Sequence, residues 1–182
     1  MGSVFKYIKD EAIVSEDSSY YKECQVCGKK NCSVYKASGF ILKADGSHDD
    51  EDPDSEIYVA CADCIRKGKV ARFGEWETDD FLKQNFDNWQ DLQKALRITP
   101  QIPLMLQKDD WVICCNEISE FTGVPGSYEE LIEYTEKAQY WERGISGYSR
   151  RFREDGPPES LNEISKFECT KCKKRYWIDQ FT

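Results

Sequence analysis

Six of the nine cysteines occur in three pairs with Cys-x-x-Cys spacing: Cys24 and Cys27, Cys61 and Cys64, and Cys169 and Cys172. Disulfide formation, thiol–disulfide exchange and metal binding all use this spacing. The first residues, MGSVFKYIKD, lack the apolar core of a secretory signal. We therefore expect a cytoplasmic protein, in which thiols stay reduced and clustered cysteines favour a metal ion over disulfides.

The first two pairs have the spacing of a zinc ribbon. The 33 residues between Cys27 and Cys61 are predicted to form a strand, an acidic loop and a strand, a hairpin that returns the second pair to the first. Gly28 permits the positive φ that points backbone N–H groups at the thiolates. Zinc prefers four tetrahedral ligands. We therefore expect one structural zinc ion on Cys24, Cys27, Cys61 and Cys64, with a redox pair or unliganded core thiols as alternatives.

The third pair needs two more ligands to complete a second site. Cys114 and Cys115 are the candidates besides Cys32 and His48. Adjacent cysteines on a strand point to opposite faces, which argues against both reaching one ion. Two alternatives stay open: a second zinc ion on Cys114, Cys115, Cys169 and Cys172, or core thiols at 114 and 115 with an unliganded last pair. Cys32 is expected to be a spare thiol.

Two helices are predicted to support these cysteines. Apolar residues recur at helical spacing from Phe81 to Leu96, with Asp79 or Asp80 as the cap. A second helix is expected from Ser127 to about Arg143, where Ser127 and Glu130 have the spacing of a capping box. Residues 144–160 are rich in Gly, Pro, Ser and Arg and are predicted to be a linker.

Residues 4–8 are predicted to be a short extended segment. Strands are predicted at 33–42, 57–64, 69–76 and 111–115 and in the tail at 167–178. The expected fold class is α+β, in which an N-terminal four-cysteine zinc ribbon joins a small mixed sheet covered by two amphipathic helices. We expect one domain over residues 1–182. Its ribbon portion spans 20–76, and its helical and sheet portion spans 77–182 and ends in the last Cys-x-x-Cys strand.

The balance of charges limits the classes of function. The formal net charge is -9, and 32% of the residues are charged. No apolar run approaches the ~20 residues of a spanning helix, so we expect no membrane insertion. Phosphate contacts need an excess of Lys and Arg, so the negative total argues against a general nucleic-acid binder.

The sequence offers little for catalysis, and we expect no enzyme. His48 is the only histidine and lies in an acidic segment, where a solvated side chain is more usual than a general base. A single histidine nearly excludes the Ser-His-Asp and Cys-His nucleophile arrangements. A zinc ion held by four cysteines has no open position for water.

Seven segments, distributed over nearly the whole chain, match the pattern of a known family: FKY (5–7), CQVCGK (24–29), GF (39–40), CADCIRKGKVARFGEW (61–76), RITP (97–100), the W-x-x-C-C and F-x-G of 111–123, and FECTKCKKRYWID (167–179). In these segments the chain resembles the CbrC family of bacterial proteins. The resemblance implies a role in tolerance to a DNase-type colicin, and it names no reaction.

In this setting the acidic segment 45–56, DGSHDDEDPDSE, becomes a candidate surface for a protein partner. DNase toxins are basic because they bind phosphate, and an acidic protein attracts them over a distance. We expect a toxin-neutralising or immunity-type protein that binds a basic nuclease through Asp49, Asp50, Glu51, Asp52, Asp54 and Glu56, together with Glu75, Glu77, Asp79 and Asp80. A solvated linker, in which nothing is buried, is the alternative for this segment.

Two other functions remain open. GYSRRFR (147–153) and KCKKRYW (171–177) place basic residues beside aromatic ones that could stack on bases, as in a nucleic-acid-binding ribbon. A thiol redox regulator could instead use the last pair, because Lys171, Lys173 and Lys174 would lower its thiol pKa and favour attack.

Overall fold

A computed structural model describes residues 2–16, 20–49, 51–102, 111–141 and 160–179. The fold is α+β, as predicted. Nowhere in these ranges does a helix have the length and apolar character needed to cross a membrane. The chain divides into two compact units, which we call the ribbon unit (Val14–Pro103) and the terminal unit (Met1–Ile13 with Leu104–Thr182). The two units divide between residues 13 and 14 and between residues 103 and 104. The predicted division of a single domain into two portions after residue 76 stays a prediction.

An antiparallel sheet of three strands forms the centre of the ribbon unit. Its strands are β1 (Val34–Ile41), β2 (Glu56–Cys61) and β3 (Val70–Arg72), in the order β2-β1-β3. Ile57 and Val59 are buried on one face. Gly39 of β1 approaches β3 closely, because a Cβ there would lie 1.9 Å from the carbonyl oxygen of Ala71.

Three helices complete the ribbon unit: α1 (Ala62–Arg66), α2 (Glu75–Asn85) and α3 (Trp89–Arg97). The single helix predicted over residues 81–96 is therefore wrong, because Phe86 is extended (φ -140°, ψ 126°) and separates α2 from α3. The strand predicted for 69–76 ends at Arg72, and α2 begins after Gly74, whose φ is 68°. The predicted caps Asp79 and Asp80 lie inside α2.

The terminal unit contains a hairpin and a mixed sheet. Strands β4 (Ile113–Cys114) and β5 (Glu117–Ile118) form the hairpin. The sheet contains β6 (Glu120–Gly123), β7 (Gln139–Tyr140), β8 (Ile164–Glu168) and β9 (Arg175–Asp179) in the order β6-β8-β9-β7, with β7 parallel to β9. The extended segment predicted for 4–8 is wrong, since residues 4–7 form bends and turns and only Ile8 makes an isolated bridge, to Phe121.

Helix α4 (Tyr128–Lys137) packs on the mixed sheet through Leu131, which contacts the buried Ile164 and Trp177. Half of the predicted capping box forms, because the Ser127 side chain accepts a hydrogen bond from the Glu130 amide (3.2 Å). The Glu130 carboxylate accepts from the Gly126 amide instead of the Ser127 amide. The helix ends at Lys137 and not near 143, and the chain continues into β7. Apart from residue 160, the predicted linker lies outside the described residues.

Candidate metal centres

The structure brings Cys24, Cys27, Cys61 and Cys64 together, with one sulfur from each residue lying within 4.8 Å of the other three. We call these residues the first four-sulfur group. The Cys24–Cys27 turn reverses the chain through two backbone hydrogen bonds, from Gly28 N–H to Cys24 O (2.8 Å) and from Cys24 N–H to Lys29 O (3.0 Å). Gly28 has φ 68°, which confirms the predicted reason for a glycine here.

The second pair of this group lies at the junction of a strand and a helix. Cys61 ends β2, whereas Cys64 lies in α1, so the strand predicted through residue 64 is wrong at its end. One helical turn places residues i and i+3 on the same side. The Cys61 amide also donates a hydrogen bond to the Cys24 sulfur (3.2 Å). The antiparallel β1–β2 pairing thus returns the second pair to the first, as the ribbon prediction requires.

A second four-sulfur group forms from Cys114, Cys115, Cys169 and Cys172, whose sulfurs also lie within 4.8 Å of one another. The expectation that adjacent cysteines point to opposite faces is wrong here, because Cys115 is not on a strand. Cys115 (φ 55°) and Asn116 (φ 57°) are the two central residues of the β4–β5 hairpin turn. Two consecutive positive φ values characterise a type I′ turn. This turn brings the Cys114 and Cys115 sulfurs to 3.8 Å.

The last pair has the same backbone geometry as the first. Lys173 (φ 62°) occupies the position that Gly28 occupies in the first pair, and its amide donates to Cys169 O (3.1 Å). The Cys169 amide donates to Lys174 O (2.9 Å), just as the Cys24 amide donates to Lys29 O. The alternative in which Cys169 and Cys172 bind no metal ion therefore loses support, since their turn has the same shape as the turn of the first pair.

In each group the spacing of the four sulfur atoms fits one tetrahedral zinc ion. A Zn–S bond of ~2.3 Å places tetrahedral sulfurs about 3.8 Å apart. The Cys27–Cys61 distance is 4.0 Å and the Cys114–Cys172 distance is 3.6 Å. A disulfide needs a separation of about 2.05 Å, and all nine cysteines, which lie within the described ranges, are free. Both groups could hold a metal ion, and zinc as its identity stays a prediction.

In each group one thiol has a lowered pKa while two others have raised ones. Burial opposes ionisation of Cys24, but N–H groups of Cys61, Cys27 and Val26 lower its pKa to about 7. The Lys174 amide, then Cys169 and Cys114, lower the pKa of Cys172 to about 7. Without a metal ion each group thus favours one negative charge, because a second thiolate would lie next to the first.

Two thiols in each group have a raised pKa, namely Cys61 and Cys64 in the first group and Cys114 and Cys115 in the second. Desolvation, followed by contacts with neighbouring sulfurs, raises the pKa of Cys61 and of Cys64 in the first group. Desolvation also raises the pKa of Cys114 to about 12. A divalent cation would reverse this arrangement, since a coordinating thiol loses its proton outright.

The two groups differ in their exposure to solvent. Cys24, Cys61 and Cys64 are buried, whereas in the second group only Cys169 is. Polar side chains partly cover the second group. The Tyr176 hydroxyl lies 3.1 Å from the Cys114 sulfur, and Lys171 donates to Cys115 O (3.1 Å). Of the nine cysteines only Cys32 belongs to neither group, and its thiol donates a hydrogen bond to Lys29 O.

The acidic segment is folded against the ribbon sheet in its described part. Ser55, which is 9% exposed, donates a hydrogen bond to the carbonyl of Asp52 (2.8 Å) and to that of Asp49. The His48 ring stacks on Phe40 of β1 at 5.3 Å. The described part of the segment is irregular up to a short 3-10 helix at Pro53–Ser55, and β2 begins at Glu56. The expectation that nothing in the segment is buried is wrong. Asp50 lies outside the described residues.

Glu75, Glu77, Asp79 and Asp80 were predicted to help bind a partner, but most of them contact other residues of the ribbon unit. Glu75 forms an ion pair with Arg97 of α3, and Asp79 accepts a hydrogen bond from Gln93 of α3. Asp80 lies 3.8 Å from Lys83 in the same helix. Glu75 and Asp79 therefore join α2 to α3, which does not favour their predicted role in binding a partner.

Comparison with known proteins gives one match. The model of an uncharacterised protein family (UPF0167) matches residues 3–180 of the chain. None of the curated proteins and none of the solved structures matches it. The match spans both four-sulfur groups and the acidic segment.

Proposed function

The chain belongs to the uncharacterised protein family UPF0167, the CbrC-like family that its motifs resemble, and we propose that it is a non-enzymatic, zinc-binding interaction protein. In this proposal it acts in the cytoplasm of a bacterium as a tolerance or immunity-type factor. Its partner is a basic nuclease toxin. The zinc ions are structural, and the acidic segment supplies the attraction.

Structural zinc in both groups is supported by their sulfur spacing and by the closed ligand sets. Four thiolates fill the tetrahedral positions of zinc, so no position is left for a reacting water. The first group joins the Cys24–Cys27 turn to the β2–α1 junction, and the second joins the β4–β5 turn to the β8–β9 turn. Each ion would therefore connect segments that are distant in sequence, and its binding free energy would contribute directly to folding.

The observation that carries the proposed partner is the acidic segment, whose described part contacts the ribbon sheet. Residues 45–56 contain seven acids and neither Lys nor Arg. The His48 ring stacks on Phe40 of the ribbon sheet, and Ser55 donates hydrogen bonds to backbone carbonyls within the segment. Because these contacts fix part of the loop before a partner arrives, less conformational entropy is lost on binding than for a free linker. Preordered negative charge suits a basic protein that binds quickly through electrostatic steering.

The direct test uses the isolated nuclease domain of a DNase-type colicin and measures its affinity for the reduced, zinc-loaded protein from 50 to 500 mM salt. We expect affinity to fall as salt rises, because screening weakens the attraction between exposed charges. A loop variant with Asp49, Glu51, Asp52 and Asp54 changed to the corresponding amides should bind more weakly. Its matched control changes Asp10 and Glu11, two acids outside the segment. Binding that does not respond to salt or to the loop variant would reject this proposal.

The nucleic-acid-binding alternative has less support. GYSRRFR (147–153) lies outside the described residues. In the other basic segment, Tyr176 and Trp177 are buried and cannot stack on bases as predicted. Lys171 lies 3.8 Å from Glu117 and Lys173 lies 3.6 Å from Glu168, which reduces the free positive charge. A gel shift with single-stranded DNA at low salt tests this alternative directly.

The redox alternative has one favourable observation, since Cys172 is exposed and its pKa is lowered to about 7. A thiol with these properties reacts readily unless a metal ion holds it. Thiol titration of zinc-loaded protein separates the two functions. If zinc is structural, only Cys32 reacts rapidly, and removal of zinc by a chelator exposes the rest.

A further inference from the structure

Four aromatic rings lie together on the outer face of the ribbon sheet. Phe40 stands between the other rings: the His48 ring stacks on it at 5.3 Å, and Phe73 meets it edge to face at 5.0 Å. Tyr58 contacts Phe73 in turn, with 6.5 Å between the ring centroids. We call these four residues the aromatic patch.

The register of the sheet explains why these rings share a face. Phe40 of β1 pairs with Glu56 of β2 on one side and with Ala71 of β3 on the other. Side chains alternate along a strand, so Tyr58 lies on the same face as Glu56. Phe73 is the first residue after β3, and its contacts with Phe40 and Tyr58 place it beside these rings. The opposite face buries Ile57 and Val59 in the core.

The aromatic patch is open to solvent. Tyr58 is 45% exposed and Phe73 is 40% exposed, and they belong to the few large apolar side chains of the described residues with so much free surface. Scattered exposed apolar residues need no explanation, but contiguous ones mark binding surfaces. Aromatic side chains are also the most frequent source of binding energy at protein interfaces.

Two acids, Asp49 and Glu56, lie beside residues of the aromatic patch. His48 itself belongs to the acidic segment, and the neighbouring Asp49 is paired with Lys43 at 3.6 Å. The Tyr58 hydroxyl donates a hydrogen bond to the Glu56 carboxylate, so the patch directly adjoins an acid. An aromatic face attracts cations, and nearby carboxylates strengthen this attraction. The same charges repel the phosphates of nucleic acids and of anionic membranes.

We propose that the aromatic patch docks an Arg- and Lys-rich segment of a protein partner, with guanidinium or ammonium groups lying on the faces of Tyr58 and Phe73. This inference rests on the proposed function and deepens it, because it assigns short-range specificity to the rings and long-range attraction to the acids. The patch lies on the sheet that the first four-sulfur group closes, so its rings are presented by a rigid element.

The test is a fluorescence anisotropy titration of the reduced, zinc-loaded protein with a fluorescein-labelled nona-arginine peptide. Tyr58→Ala and Phe73→Ala should each weaken binding about fivefold, the size expected for an exposed cation–π contact. Phe73→Leu, which keeps an apolar side chain, should still lose part of the affinity. The matched control is Ile98→Ala, since Ile98 is 42% exposed in the same unit and lies outside the patch; it should bind like the parent.

The loop variant with amides at 49, 51, 52 and 54 separates attraction by the acidic segment from docking on the aromatic patch. If it binds the peptide weakly while Tyr58→Ala and Phe73→Ala bind normally, attraction by charge stands and the aromatic patch is rejected. If none of the variants changes the affinity, the proposed function fails as well. Equal losses for Ile98→Ala and Phe73→Ala would also overturn the inference. Tight binding of a fluorescein-labelled single-stranded DNA at the same site would assign the patch to nucleic acid instead.

Discussion

The sulfur atoms of Cys114 and Cys172 lie 3.6 Å apart, although 58 positions separate these residues in the chain. Cys114 opens a type I′ hairpin turn, and Cys172 lies in the turn between β8 and β9. A tetrahedral zinc ion spaces its sulfur ligands at about 3.8 Å. The terminal unit thus contains the arrangement that a second structural zinc site requires, and several testable consequences come from it and from its counterpart in the ribbon unit.

Cys172→Ser should remove one zinc ion of two and leave the first four-sulfur group intact. Serine offers a neutral hydroxyl in place of a thiolate, which zinc binds far less well. The measurement is zinc per chain by mass spectrometry of protein purified with reductant and without added metal. Cys32→Ser is the matched control, because Cys32 lies in neither group, and it should keep both ions. Unchanged zinc content in Cys172→Ser would exclude the second site.

Cys24→Ser and Cys61→Ser should each lose the first ion and unfold the ribbon unit. Its three-stranded sheet depends on the β1–β2 hairpin, whose ends the first group holds together. Structural zinc contributes its binding free energy to folding, so the loss is large. Hydrogen exchange read by mass spectrometry should show lost protection in β1 and β2, while Cys32→Ser keeps it. Either variant retaining its zinc and its melting temperature would contradict this account.

Gly28→Ala and Lys173→Gly should change stability in opposite directions. Both positions have positive φ, 68° and 62°, directly after the second cysteine of a pair. A Cβ at Gly28 would meet no atom within 4 Å, so the expected loss of about 1 kcal/mol is purely conformational. Lys173→Gly relieves the same strain and should raise the free energy of unfolding by about 0.5–1 kcal/mol.

Urea unfolding of the zinc-loaded proteins checks this pair. The ion pair of Lys173 with Glu168 is exposed, so its loss changes the free energy of unfolding little. A destabilised Lys173→Gly protein would show that the last turn does not share the geometry of the first.

Zinc affinity should rise with pH. In the metal-free protein Cys24 and Cys172 have pKa values of about 7, whereas those of Cys61, Cys64 and Cys114 are raised. At pH 7 the two thiols of each group whose pKa values are raised hold their protons, so zinc must displace at least two protons per ion. Competition with a chromophoric chelator at pH 6, 7 and 8 measures the dependence. Affinity that stays constant over this range would exclude thiolate ligands.

Patterns that depend on local sequence predicted much of the fold. Strand β1, the loop and β2 follow from the apolar segments around the run of acids, and Ser127 begins α4 as its capping role predicts. The break at Phe86 was missed because Phe86 fits a helical spacing of apolar residues. Only the packing of α2 against α3, held by the Glu75–Arg97 ion pair, requires the chain to turn there.

The second four-sulfur group shows where the sequence is insufficient. WVICC has the composition of a buried strand, and a strand would separate the two thiols. The turn occurs because Asn116 tolerates a positive φ better than most residues and lies between two short pairing segments. Asn116, two positions after Cys114, is the one signal in the sequence that could have indicated this turn. The aromatic patch had no signal at all, because its four rings come from four separate segments.

The central claim is that two four-cysteine zinc sites hold this protein together. X-ray absorption at the zinc edge, combined with the metal-to-protein ratio of native protein, tests it most directly. We expect two zinc ions per chain, each with four sulfur neighbours at about 2.3 Å and neither oxygen nor nitrogen ligands. A ratio near zero in folded, reduced protein, or a spectrum with mixed light-atom ligands, would contradict the claim.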